Sequence, residues 1–314
     1  MRPTDRTGLA IILSLVALTL FDAMALIIKH LSGSYSAAEL SAWRNLFGLI
    51  PSIIALCSSK AWRDGGKRLK IRQWKLGLLR GAVVTFAQLC FYMSLGLMAF
   101  ATASTITYAS ALFTTALAIP LLGERVGWIR WCAVLIGFAG VIMVVQPGTD
   151  SFSVYALLPL AASAFYALVS VTARLFDDDV PSPLVNLYSS FTAAIGAFLI
   201  AYLWTGFTPI AATSDLGWII AMGGFGGTAV LFLIVSYRMT EQSNLAPFSY
   251  FGIPLAFVLG WLFFDEAPWG TLFPGALLIA SGGLLIVWRE RTQPKKSYTK
   301  TSCTSCSPTP NTRL

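Results

Sequence analysis

The feature of this sequence that most constrains its fold is a series of apolar runs, each about 20 residues long and separated by short polar segments. A helix rises about 1.5 Å per residue, so each run can cross a hydrocarbon core about 30 Å thick. A helix also satisfies its own backbone hydrogen bonds in lipid, and the runs lack the alternation of barrel strands. We predict membrane-spanning helices at 8–28, 37–57, 76–98, 101–122, 128–146, 153–173, 182–204, 216–237, 243–264 and 270–288.

Composition supports a membrane protein. Hydrophobic residues make up 56% of the 314 residues and charged residues only 11%. A soluble protein carries about 25% charged residues, so this chain has too few charges for a soluble surface. The first run, Gly8 to Ile28, exceeds the apolar part of a signal peptide, which is about 7–15 residues. We therefore predict an all-α integral membrane protein with ten transmembrane helices.

The basic residues orient the chain in the membrane. Of the 22 Lys and Arg residues, all but Lys29, Arg44 and Arg80 lie in segments on the side of the N-terminus. Basic loops face the cytoplasm, so both termini are predicted to be cytoplasmic, which requires an even number of spans. The net charge of +8 is then a topology signal facing the lipid bilayer, and no nucleic-acid partner is predicted.

The chain also repeats itself at a nearly fixed offset. Shifted by 142 positions, Tyr108–Glu124 falls on Tyr250–Glu266, and a shift of 144 puts Phe21 on Phe165. Hydropathy alone makes any two spans look alike. Tyrosine, acidic and glycine residues, however, also recur at nearly the same offset, and this favours two copies of one five-helix unit.

These two copies occupy 1–146 and 147–290, and a basic tail at 291–314 is predicted to be disordered. Because five is odd, the copies must have opposite orientations. Inverted repeats are typical of secondary transporters, which bind substrate near the midplane between the repeats. Cys303 and Cys306 of the tail form a lone CxxC, which is weak evidence for zinc or redox chemistry.

Specific motifs resemble a known family. Gly-Glu-Arg follows the fourth span within 117–145, and Asp265-Glu266 stands at the matching place of the second half, within 246–290, where the family has Gly-Glu. The segment 29–45 carries a Lys at the end of the first span and an Arg in the second. Together these blocks resemble EamA-type carriers of the drug/metabolite transporter superfamily.

This resemblance implies a carrier in the bacterial inner membrane that moves small organic solutes: amino-acid-like, nucleoside-like or vitamin-like metabolites. The APFSYF block at 246–251 looks most like that of S-adenosylmethionine and riboflavin carriers. Such a carrier is expected to act as a monomer or homodimer. By alternating access, it exposes a central cavity to one side of the membrane and then to the other.

Other motifs are missing from the sequence. It contains no GxxxxGK[ST] phosphate cradle, so ATP-driven transport by this chain alone is not expected. It contains no HExxH or metal-spaced cluster, and its only histidine, His30, lies at the edge of a span. We predict no cofactor, no metal and no catalytic residue. The alternatives to a carrier are an intramembrane enzyme and a membrane sensor or structural protein.

Two charged residues within spans are the first candidates for a substrate site. Asp22 and Arg44 each lie about 10–12 Å below the outer end of their helices. An unpaired Arg at a helix centre costs about 2.5–3.5 kcal/mol. We expect the two side chains to face and neutralise each other, either as a packing pair or as a charged substrate site or gate.

Polar and aromatic residues on several spans are the next candidates. Their spacing places them on single helical faces, as for Gln88 and Tyr92, four residues apart. Such stripes either line a cavity or bond neighbouring helices, and tyrosines add flat faces and hydroxyls for a ligand. The predicted cavity residues are Asp22, Arg44, Gln88, Tyr92, Tyr108, Tyr166, Ser170 and Tyr250.

Helix-bending residues form the last group. Gly223 and Gly227 flank a glycine-rich run in the eighth span, where small residues allow either close packing or a bend. Pro247 and Pro254 are expected to interrupt the hydrogen-bond ladder of the ninth span. Packing and gating remain equally open for these four positions.

Overall fold

The structure is a computed structural model, and the part of the chain that it describes is nearly all helical. It describes residues 7–59, 62–63, 72–122, 128–145, 153–172, 175–176, 180, 182–210, 212–239, 248, 251–266, 274–281, 284–285 and 288. The helices are α1 (Thr7–Leu31), α2 (Ala37–Ser58), α3 (Trp74–Leu97), α4 (Phe100–Thr107), α5 (Ser110–Leu122), α6 (Trp128–Val145), α7 (Leu157–Thr172), α8 (Ser182–Ile200), α9 (Thr213–Met239) and α10 (Gly252–Phe264). Residues 274–281 are helical as well.

Six of the described helical segments are long and apolar enough to cross a membrane. They are Gly8–Leu31, Ala37–Ser58, Trp74–Leu97, Val154–Thr172, Pro183–Thr205 and Thr213–Leu233. Shorter apolar stretches lie at Val134–Val145 and Gly252–Phe264. The predicted all-α membrane class is therefore confirmed, whereas the count of ten spans stays a prediction.

The fourth predicted span is not one continuous helix. α4 ends at Thr107 and α5 begins at Ser110. The Tyr108 backbone N–H is shared between the carbonyls of Ser104 and Thr105 at 3.3 and 3.2 Å, which tightens the turn. The Thr107 hydroxyl donates to the Ala103 carbonyl at 2.9 Å, a back-bond that bends helices. Tyr108 thus stands between α4 and α5, and its phenol lies against Gly252 of α10.

The two halves of the chain pack on each other along their helices. α1 packs on α9, α2 packs on both α8 and α9, and α3 packs on both α7 and α8. α5 packs on α7, and α4 packs on α10. The main interface therefore joins helices of the first half to helices of the second, which places any space between the halves at the centre of the molecule.

The glycine run of α9 serves close packing. A methyl group at Gly227 would lie 2.9 Å from the Gly48 carbonyl oxygen, and one at Gly223 would overlap Phe47. α9 continues through the run without interruption. Packing of Gly223 and Gly227 on α2 is thus what the structure shows, and their gating role stays a prediction.

The two prolines of the predicted ninth span lie at different places. Pro254 lies in the first turn of α10, where its missing N–H would have no intrahelical partner in any case. Its role in interrupting the longer predicted span stays a prediction, because residues 240–247 and 249–250 lie outside the described residues. Pro247 lies outside the described residues.

One end of the helix bundle is tied by polar contacts, and we call it the Lys29 end. The C-terminal ends of α1 and α3 and the start of α4 lie at this end. The Lys29 ammonium of α1 donates to the carbonyl of Met98, which stands between α3 and α4, at 3.0 Å. α8 ends and α9 begins at the same end, since Ser36 contacts Thr205 at 3.0 Å and the Tyr35 hydroxyl donates to Asp215 at 2.9 Å.

Candidate binding cavity between the halves

A cavity of about 450 Å³ lies among helices of both halves. α1 to α5 contribute to its wall from the first half, and α7, α8 and α9 contribute from the second. Its volume falls within the range of small-molecule sites, about 300–1,000 Å³. Six of the residues predicted from the sequence line it, namely Asp22, Arg44, Gln88, Tyr92, Tyr108 and Tyr166.

Arg44 is held in the wall by a buried amide network. One terminal guanidinium nitrogen, Nη1, donates to the Asn45 side-chain oxygen at 3.0 Å. Asn45 donates to Gln88 at 2.6 Å, and the Gln88 amide donates back at 3.3 Å, which joins α2 to α3. Ser41 donates a further hydrogen bond to Gln88 at 2.8 Å. Gln88 thus positions Arg44, and the hydrogen-bond partner of this buried cation is a neutral amide.

Asp22 does not form the predicted ion pair with Arg44, so that expectation is wrong. The ion pair found among the described residues joins Lys29 to Glu266 instead. The physical reason lies on α9, where Gly226 leaves room for the guanidinium: a methyl group there would stand 2.8 Å from Arg44 Nε. Asp22 is only 6% exposed, and its Oδ2 atom has no hydrogen-bond partner among the described residues.

A second cation in the cavity wall was not selected from the sequence. Arg80 of α3 lines the cavity, and its Nη1 atom donates to the Val169 carbonyl of α7 at 2.8 Å. The signal was present, because a basic residue inside an apolar span is as unusual at position 80 as at position 44. Polar residues of α8 were also missed, namely Asn186, Ser189 and Ser190.

The tyrosines divide between the two charges. The Tyr108 hydroxyl lies in the electrostatic field of Asp22, whereas those of Tyr92 and Tyr166 lie in the field of Arg44. Gly252 at the start of α10 makes room for Tyr108, because any side chain there would overlap the phenol. The cavity therefore has an acidic pole at Asp22 and a basic pole at Arg44.

Two predicted cavity residues are not part of the described wall. Ser170 lies on the exposed side of α7, and the cavity is lined instead by Tyr166 and Val169. The spacing of Ser170 from Tyr166 allowed one shared face, but Val169 takes that place. Tyr250 lies outside the described residues.

The Lys29 end closes the space beyond the cavity. Lys29 pairs with Glu266 at 2.6 Å, and the other carboxylate oxygen of Glu266 accepts the Phe100 backbone N–H at 2.8 Å. On the α2 side, Glu39 is buried and accepts the backbone N–H groups of both Ser36 and Thr208. These contacts bridge the first half of the chain to the second at the Lys29 end.

Membrane-spanning helices around a cavity with buried charged residues are typical of a membrane transporter, and the comparisons with known proteins assign the protein to that class. Residues 8–146 match the EamA-like transporter family, which is the family that the sequence motifs resemble. A crystal structure of a protein 22% identical in sequence has the same fold, with a TM-score of 0.63 over 90% of this chain and 97% of that one.

Known transporters are similar over most of the chain. The S-adenosylmethionine uptake transporter of Rickettsia prowazekii is 24% identical over 283 residues, which cover 89% of this chain and 92% of the relative. The pseudopaline exporter CntI of Pseudomonas aeruginosa is 26% identical over 88% and 93% of the two chains. The riboflavin transporter of Rhizobium johnstonii is 34% identical over 178 residues, which cover 56% of this chain and 57% of the relative. These relatives include both kinds of carrier that the APFSYF block resembles.

Proposed function

We propose that this protein is a secondary transporter that carries a small organic metabolite across the bacterial inner membrane by alternating access. The observation that supports this most directly concerns Asp22 and Arg44, two buried residues of opposite charge. Both line the same cavity, and they do not contact each other. A buried charge without an opposite partner is costly, so its presence inside a membrane span favours a role in binding.

The architecture supports alternating access. The proposed ten spans form two inverted five-helix repeats, at 1–146 and 147–290, and the packing of α1, α2 and α3 on helices of the second half agrees with that division. In such carriers one repeat moves against the other around a fixed site. The contacts that would have to separate lie at the Lys29 end.

The direction in which the cavity faces can also be proposed. α9 begins at the Lys29 end and contributes Val230 and Leu233 from its second half, while α8 ends there and contributes Asn186 from its first half. The cavity wall therefore extends from the depth of Asp22 and Arg44 toward the opposite end of the bundle. With both termini cytoplasmic, the Lys29 end is periplasmic and this structure is closed to the outside.

Transport can be measured in proteoliposomes that contain the full chain. The compounds named by the relatives, S-adenosylmethionine and riboflavin, form the starting panel, with amino acids added. We expect at least one compound of the panel to show counterflow in the proteoliposomes. Protein-free liposomes should show none. Recovery of the solute in altered form would favour an intramembrane enzyme, and no counterflow of any panel member would contradict the proposal. Reporter fusions in the 60–75 segment and after residue 296 test the orientation.

A further inference from the structure

We propose that the transported solute is a zwitterion whose carboxylate binds Arg44 and whose cationic group binds Asp22. This inference rests on the proposed function and names the chemical class of its substrate. The geometry that points to it is one cavity with two opposite charges on different helices, α1 and α2, that do not neutralise each other.

Neither charged group has all of its polar atoms satisfied by the described residues. Oδ2 of Asp22 and Nε of Arg44 are buried without a hydrogen-bond partner among them. Nη1 of Arg44 is engaged by Asn45, and Nη2 has no described acceptor. The amide network fixes the guanidinium in place, so the cavity wall presents a planar donor group for a carboxylate.

The charge of the ligand follows from the cost of removing water. A solute that fills the cavity excludes water from both charged groups. A neutral solute would leave two desolvated charges, and a solute with one charge would leave one, each at a high cost. A zwitterion compensates both poles at once, and it enters with no change in the net charge of the site.

The remaining wall suits the uncharged part of such a solute. Phe21 and Phe91 line the cavity beside the tyrosines and offer flat apolar faces. Arg80 is engaged to the same extent as Arg44, because its Nη1 donates to the Val169 carbonyl and its Nε is buried without a partner among the described residues. What favours Arg44 is the amide network of Asn45 and Gln88, which fixes its guanidinium in the wall. The proposed class is therefore a compound with an amino-acid group and an apolar or aromatic body.

The class is tested by binding measurements on the unmodified full chain in nanodiscs. The probes are phenylalanine, S-adenosylhomocysteine and riboflavin, with the methyl ester and the N-acetyl derivative of each amino-acid compound. We expect a zwitterion to bind about 10- to 150-fold more tightly than its own ester or N-acetyl derivative, the range for one charged hydrogen bond. Riboflavin, or a single-charge derivative, binding as tightly as the zwitterions would overturn the inference.

Variants assign each charge of the ligand to its residue. Asp22→Asn should remove the advantage of the zwitterion over its N-acetyl derivative, and Arg44→Gln should remove its advantage over the methyl ester. A protonated Asp22 predicts little change in the affinity of any of the three ligands on Asp22→Asn, whereas a purely structural role predicts equal weakening of all three. Either result contradicts the assignment. The matched controls are Asp265→Asn and Arg72→Gln, which remove exposed charges away from the cavity. If riboflavin alone shows counterflow, the transporter proposal stands and only the zwitterion is wrong.

Discussion

The cavity and the Lys29 end use the same kinds of residue in opposite ways. At the Lys29 end, an ammonium and a carboxylate pair at 2.6 Å, and each also contacts a backbone group, at Met98 and Phe100. In the cavity, Asp22 and Arg44 are more deeply buried but make no ion pair among the described residues. A charge that the protein pairs stabilises one arrangement of the helices, whereas a charge that it leaves unpaired is available to a ligand.

The strongest test of this contrast displaces Arg44 without changing its charge. A methyl group at Gly226 would stand 2.8 Å from Arg44 Nε and 2.6 Å from Met24 Sδ, so Gly226→Ala must push the guanidinium out of place. We expect substrate affinity to fall by about 10- to 150-fold, the worth of a charged hydrogen bond. The measurement is the apparent Kd of a counterflow substrate.

Gly224 supplies the control for this substitution. It lies in the same helix, and nothing stands within 4 Å of a methyl group added there. Gly224→Ala should leave affinity unchanged and stabilise α9 slightly, by about 0.5–1 kcal/mol. Equal losses in both variants would mean that α9 simply needs flexibility, and that Arg44 has no special position.

Much of this arrangement was predictable from the sequence. Apolar runs predicted the membrane helices, and polar residues within those runs predicted six of the cavity residues, because both signals are local. The sequence could not show that Asp22 and Arg44 fail to pair, because depth in the membrane does not fix the direction of a side chain. The Arg44 guanidinium lies against α9 only because Gly226 lacks a side chain.

Long-range contacts and backbone details were also beyond the sequence. Lys29 and Glu266 are 237 positions apart, and no local pattern links them. The break at Tyr108 depends on a back-bond from Thr107 and on the space at Gly252. Each of these features arises from packing between the two halves, and single-span patterns carry no record of that packing.

A double-mutant cycle compares the two charge pairs directly. Lys29→Gln and Glu266→Gln should show a coupling energy between about 0.5 and 3 kcal/mol in apparent unfolding free energy, because the residues form an ion pair in the structure. Asp22→Asn and Arg44→Gln should be additive within about 0.5 kcal/mol. Thermal unfolding in detergent measures both cycles. Strong coupling of Asp22 to Arg44 would show that they pair after all.

The Lys29–Glu266 pair should also control access from the outside. Breaking it removes a contact between the α1 end and the residues after α10, so the open-outside state should become more populated. A cysteine at position 107, in the cavity wall, would then react faster with a polar thiol reagent added outside. The comparison is made on a background lacking native cysteines, with Asp265→Asn as the control because it removes the neighbouring exposed acid. An unchanged rate in Glu266→Gln would mean that this contact does not limit opening.

The smallest expected effect separates the two polar residues of α7. Tyr166 lines the cavity near Arg44, whereas Ser170, four residues later, lies on the exposed side of the same helix. Tyr166→Phe removes one neutral hydrogen bond to the ligand, worth about 0.5–1.5 kcal/mol, and should weaken affinity by about 2- to 13-fold without loss of expression. Ser170→Ala should leave affinity unchanged.

Packing alone predicts a different pattern for Tyr166→Phe, namely lower stability with the affinity preserved. Substrate protection of a cysteine at 166, but not of one at 170, would place the ligand on the cavity side of α7.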